Sequence, residues 1–213
     1  MTTLAPRHPG AAADLAVFAT RVARFEAEAV IRIVAAGPVA GCFAETPFDV
    51  LALRAVQLSE PLTIDVVVEA GTLAARAVGE HGELELPPAL PALRWTASLP
   101  PRTGWEELAR LPVSDVATRI EAGVAEFRAK APELTTGMAR RGARAELDRL
   151  AAEVWDGELA AGAPLRLAHA ADSYGFLADR SGEVTLRGVG QWWRLDAPHG
   201  SIVARAGLAL FAL

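Results

Sequence analysis

Four side chains toward the C-terminal end of this chain have the chemistry to hold or act on a small molecule: His169, Tyr174, Trp193 and His199. An imidazole exchanges a proton near neutral pH. A phenol donates a hydrogen bond, and an indole offers a broad flat apolar face. All four fall within Leu165–Arg205, a stretch holding two of the five Trp, two of the four His and the only Tyr. His169 and Asp172 are three apart, so on a helix they share a face and can pair. If the fold brings the four together, they line a ligand pocket. The plainer expectation is a helix-borne His bonded to a nearby acceptor, with the aromatics closing a core.

Other chemistries find less support. A metal site needs three or four ligands, and His8, His81 and His199 form no ligand spacing with His169. There is no G-x-S-x-G elbow, and no serine carries a local signature of a nucleophile. Lys130, the single lysine, falls opposite the apolar stripe of its helix and is expected in solvent. Cys42, the single cysteine, has no adjacent His or basic residue to lower its pKa. Gly188-Val189-Gly190 runs into Gln191-Trp192-Trp193 and not into a helix, so it reads as a hairpin turn and not a phosphate cradle. No catalytic residue, metal or cofactor is assigned. Adjacent Trp192 and Trp193 point to opposite faces of a strand, so one covers something beyond the core. Arg54, Arg187, Arg194 and Arg205, all in expected strands, either line an anion pocket or pair with acids such as Asp65, Glu183 and Asp196.

Composition narrows the class. The chain has 213 residues, 52% of them hydrophobic, with a mean hydropathy of +0.24. That supports a sizeable core and leaves apolar surface to hide between subunits. Net charge is −5. Residues 1–110 carry 9 basic and 13 acidic side chains, and residues 111–213 carry 12 and 13. Neither half has the basic excess that phosphate neutralisation requires. One cysteine excludes an internal disulfide and fits a reducing compartment. Val39-Ala40-Gly41-Cys42 has the look of a lipidation box, but Glu26, Glu28 and Arg32 interrupt the apolar run a leader needs, so a buried strand cysteine is expected. No apolar run approaches the roughly 20 residues that span a bilayer. A cytoplasmic protein is expected.

The elements that must position these groups follow from period and punctuation. Residues 1–13 read as a disordered tail. Asp14 can cap a helix to about Ala27, with Leu15, Phe18, Val22 and Phe25 on one face. Ala29–Ala35 reads as a strand stopped by Gly37-Pro38; Cys42–Glu45, Phe48–Leu58 and a run after Pro61 read as three more. A short helix at Gly71–Val78 and a strand at Glu83–Leu86 complete an α/β sheet subdomain over 14–86. Five prolines make 87–101 a connector in which Leu90, Leu93, Trp95 and Leu99 pack on the body. Residues 102–213 form a helical subdomain: helices from Ser114 to Pro132, Thr136 to Asp156 and Pro164 to Ala178, then a hairpin turning at Pro198-His199-Gly200. An uncharged end, AGLALFAL, is expected to pack, on the body or on a second copy. The fold class is α+β: an N-terminal helix on a mainly antiparallel sheet, then a three-helix unit closed by a C-terminal β-hairpin.

At LPPRTGWEEL (99–108), GVAEFRAKA (123–131) and QWWRLDAPHGSIVAR (191–205) the sequence resembles conserved uncharacterised proteins of actinobacterial-type, high-GC genomes. That resemblance implies no activity, cofactor or catalytic residue. Three functions stay open. The leading one is a non-enzymatic cytoplasmic interaction protein acting as a homodimer. The second is a small-molecule binder or hydrolase with a pocket near His169 and Trp193. The third is a DNA-binding regulator with a winged-helix-like second half and a basic face at Arg140, Arg141, Arg144 and Arg166. Against it stand the acidic balance and the seven residues from Gly157 to Ala163, too many for a helix-turn-helix link.

Overall fold

The computed structural model describes residues 2–76, 78–80, 82–135 and 140–206, with their side chains except at 133–135, 140 and 141. The chain is α+β with mainly antiparallel strands, and it divides into two compact units, Met1–Pro100 and Pro101–Leu213.

In the first unit α1 spans Gly10–Phe25 and buries Ala12, Leu15, Phe18, Ala19 and Val22. It starts four residues before the expected cap, so Asp14 lies inside it and instead takes Arg54 at 2.5 Å. The expected N-terminal tail is also corrected. β1 (Thr3–Leu4) pairs with β4 (Leu84–Glu85), and Leu4 is fully buried. One anchored leucine and a few ladder bonds tie down a segment whose composition reads as loose.

The larger correction concerns β2 (Val30–Glu45) and β3 (Leu51–Glu69), one long hairpin where four short strands were expected. The register runs from Val30↔Glu69 to Gly37↔Leu62 and resumes at Val39↔Gln57. Pro38 on one strand and Leu58–Pro61 on the other stand outside the ladder, in a bulge where a missing N–H costs no ladder bond. Gly37 has φ 128°, a conformation that side chains rarely tolerate. The bulge turns Gln57–Ser59 toward the N-terminal segment: Arg7 N–H donates to the Gln57 carbonyl and Ser59 N–H to that of Ala5, both at 2.8 Å. After β3, α2 covers only Ala70–Ala74. In the proline-rich stretch Trp95 is buried with its indole N–H on the Ala97 carbonyl at 2.6 Å. Leu93, expected to pack, is 80% exposed on a 3-10 turn at Ala92–Arg94.

The second unit opens with a strand that the sequence reading lacks, β5 (Glu106–Pro112). α3 (Val113–Thr135) and α4 (Arg140–Trp155) follow, then a tight hairpin of β6 (Glu158–Ala160) and β7 (Ala163–Pro164). α5 (Arg166–Ser173) leads to β8 (Glu183–Val189), β9 (Trp192–Ala197) and β10 (Gly200–Arg205). The expected C-terminal hairpin is thus part of an antiparallel sheet in the order β10-β9-β8-β5. α5 buries Leu167, Ala168, Ala170 and Ala171 and packs on β9 and β10. It stops five residues short of expectation because Gly175, at φ 68°, turns the chain out of the helix. At the start of β10, Phe176 lies against Gly200, where a Cβ would stand 2.6 Å from the ring. The apolar end at 207–213 lies outside the described residues.

Candidate functional site

The sheet of the second unit ends at β5, which pairs only with β8 within the unit. The register slips between Glu107↔Arg187 and Ala109↔Leu186, so Leu108 has no partner on β8. Its side chain lies instead over Gly188, where a Cβ would come within 2.8 Å of Leu108 Cδ1. That glycine lets a bulged leucine rest on the strand beside it. Leu108 remains 42% exposed, unusual for its size on an edge. Leu108 and Glu106 form one side of a groove with Gly188 and Gly190 in it and Trp192 and Trp193 beside them, about 320 Å³ in volume. Gly190, at φ 55°, makes the tight turn that places both tryptophans there.

The groove is flanked by charge that is already spent. The Arg205 guanidinium lies 5.9 Å from the Trp192 ring, and that of Arg194 lies 6.0 Å from Trp105. Such contacts hold an arginine's apolar stem and charge on one aromatic face. Asp196 accepts hydrogen bonds from Arg187 Nε at 3.0 Å, Arg194 Nε at 2.6 Å and Ser201 Oγ at 2.6 Å. Glu107 then joins Arg187 at 3.8 Å to Arg110 at 3.0 Å. Of the four strand arginines, three are therefore tied to carboxylates and the fourth, Arg205, to an indole. Among the described residues they are engaged with these partners and not gathered around a shared anion site. Glu106 differs: among the described residues no hydrogen bond or ion pair engages it.

The four residues singled out by sequence occupy different surroundings. Trp193, half-buried, lines the groove. Tyr174 has no exposed surface and packs its ring 6.1 Å from that of Phe176. His199 stands exposed in the β9–β10 turn, near Asp179, whose carboxyl the hydrogen bonds from Ser181 hold below its usual range. His169 stacks on Trp155, ring centroids 3.9 Å apart and planes 4° from parallel. Burial pushes its pKa below the ordinary imidazole value, partly offset by the Asp172 carboxylate, which Arg180 holds at 3.0 Å. Trp155 itself presses on α3, where a Cβ on Gly123 would meet its ring at 2.8 Å. The His169 ring therefore serves as packing between α4 and α5, and neither it, Tyr174 nor His199 lines the Trp193 groove.

Burial pushes the Cys42 thiol up to about 12, the opposite of what a nucleophile needs. Among the described residues no group of three or more His, Cys, Asp or Glu could hold a metal ion. No described helix is long and apolar enough to cross a membrane. The expected basic face is neutralised where it is described: Arg144 pairs with Asp148 at 3.1 Å and Arg166 with Asp156. Arg140 and Arg141 have side chains outside the described residues, as has His81 altogether. Sequence reasoning found the tryptophans but not Leu108 or Glu106, because Glu106-Glu107-Leu108-Ala109-Arg110 has no β-branched residue and fits a helix equally well.

Comparison with known proteins gives families and a fold. A domain of unknown function (DUF8185) matches residues 100–209, and a second (DUF8010) matches residues 1–97. No curated protein matches the sequence. Among solved structures, a DnaN sliding clamp (DNA polymerase III subunit beta) from Bartonella birtlesii bound to griselimycin shares the fold, with TM-score 0.53 and 12% identity, over 95% of this chain and 63% of that one. DNA polymerase sliding clamps from Pseudomonas aeruginosa align with TM-scores of 0.51 and 0.50 at 12% and 13% identity, over 96% and 91% of this chain and 64% and 62% of theirs. The chain spans less than two thirds of the length of these clamps, and at such identity the likeness is one of fold.

Proposed function

The chain belongs to the DUF8185 family, and we propose that it is a non-enzymatic interaction protein that works as a homodimer. The observation that carries this reading is the open edge at β5, with Leu108 42% exposed beside a tryptophan-walled groove. An unpaired strand offers a row of backbone donors and acceptors to another chain, and an exposed apolar side chain gains by being covered. The aromatic groove supplies the kind of surface that dominates binding energy at interfaces. The clamps that share the fold are named as a subunit of DNA polymerase III, which supports a scaffold that acts within an assembly. Sedimentation equilibrium of the full chain tests the reading: a dimer forming in the micromolar range is expected, and a monomer up to high micromolar concentration overturns it.

A second reading rests on the same groove. Two tryptophans flanking a glycine turn would take the flat face of a small aromatic molecule, with Glu106 meeting a donor on it. Ligand-observed NMR with aromatic fragments separates the two: hits lost in Trp193→Ala support a small-molecule site, and hits unaffected by that change remove it.

A further inference from the structure

We infer that the first unit binds a small zwitterion, a free apolar α-amino acid, in a pocket that presents Arg76 and Glu85 together. The pocket shares no residue with the groove at β5. Its walls follow from how the chain is pinned after β4. Leu86 N–H donates to the Thr2 carbonyl at 2.9 Å, and Leu90 N–H donates to that of Val67 at 2.8 Å. Between these two anchors run Pro87, Pro88 and Ala89, outside any ladder. Neither proline has an N–H with which to extend a strand. The segment is therefore held at both ends and not along its length, and a cavity of about 360 Å³ stays open beside it, with Val66 of β3 in its wall.

The two charged side chains in that wall have no counterpart. Arg76 and Glu85 are both half-buried. Arg76 Nε and Glu85 Oε1 are shut off from solvent, and each lacks a hydrogen-bond partner. No ion pair joins either side chain to the other or to another described residue. On the same unit Arg32 and Arg54 each take a carboxylate. A charge withdrawn from water and left unmatched is unfavourable, and a ligand of opposite charge reverses that. An arginine and a glutamate that line one cavity without pairing fit a ligand carrying both signs. The guanidinium fork suits a carboxylate, and the Glu85 carboxylate suits an ammonium group. Val66, Leu86 and Pro87 add apolar wall for the remainder of the molecule. A phosphate ester fits this balance poorly, because Glu85 repels what Arg76 attracts. The volume lies at the small end of the roughly 300–1,000 Å³ typical of ligand pockets, as a free amino acid requires.

Ligand-detected NMR titration of the full chain with L-leucine, L-valine and L-phenylalanine tests the site. Binding of at least one is expected. Masking either charge, as the N-acetyl derivative or as the carboxamide, should weaken it about ten-fold or more, since each removes a hydrogen-bonded charge pair. Matched variants assign the partners. Arg76→Gln should weaken the amino acid and leave its carboxamide unaffected; Glu85→Gln should weaken it and leave the N-acetyl form unaffected. Ala89→Trp, at an exposed position of the wall, should fill the cavity and abolish binding. Circular dichroism melts verify that each variant is folded, and the masked ligands decide on the wild type if one is not. A wild-type chain that binds none of the three amino acids at millimolar concentration overturns the inference. Masked ligands that bind as tightly as the parent overturn it too, as does an affinity unchanged in both Arg76→Gln and Glu85→Gln.

Discussion

His169 shows how far a reactive residue type can be from a reactive residue. Sandwiched on Trp155 and half-buried, its imidazole resists protonation because the charged form loses solvent there. The consequence for stability has a definite sign. Below the ordinary value of about 6.5 the unfolded chain takes up a proton that the folded chain refuses. His169 thus favours the fold fully above that pH, and the contribution drains away as pH falls toward its lower folded-state value. Urea midpoints measured at pH 7.5 and 5.5 should differ in the wild type, and His169→Gln should flatten the difference. An unchanged slope in the variant would assign the acid sensitivity to other groups. Gly200 makes the complementary point about a residue with no chemistry. Phe176 is buried against it, and that ring has nowhere to retreat when a Cβ arrives at 2.6 Å. Gly200→Ala is expected to cost about 1–3 kcal/mol by overpacking, seen as a lower chemical-denaturation midpoint at unchanged slope.

At the scale of elements, what the sequence showed depended on whether the signal was local. The stripe of Leu15, Phe18 and Val22 makes α1 readable because burial of one helical face repeats every turn. The alternation around Trp192–Arg205 makes β9 and β10 readable for the equivalent reason in strands. Gly37-Pro38 and Pro61 misled because punctuation residues mark either an end or a bulge, and only the partner strand decides which. β5 was invisible for a related reason. Nothing in Glu106–Leu111 favours a strand; pairing with β8 imposes it. Half of the groove shared that fate. The tryptophans advertise themselves by rarity, whereas Leu108 and Glu106 matter through the bulge and through Gly188, neither of which is legible before the register is known. The distance between His169 and the groove was equally hidden, since it follows from which face of α5 the alanines bury.

For the molecule as a whole, the balance of charge is achieved locally. Arg32 lies bidentate on Asp65 at 2.8 Å, Arg149 on Glu146 at 2.7 Å, Lys130 between Glu126 and Glu153, and Asp196 gathers two arginines. Each of these cations meets its carboxylate within a few ångströms, so the charge it carries is balanced where it stands. The same matching leaves recognition to shape and to backbone. β2 illustrates the point from the first unit. It runs for 16 residues with β3 along one side and no described strand along its outer side. In amide hydrogen exchange such a strand should keep time in twos: N–H groups turned toward β3 exchange slowly and their neighbours quickly. The beat should run from Val30 to Gly37, falter at Pro38, which carries no amide, and resume from Val39. Uniform slowing along the strand as protein concentration rises would mean that a second chain had come to lie along β2, and the alternation would vanish with it.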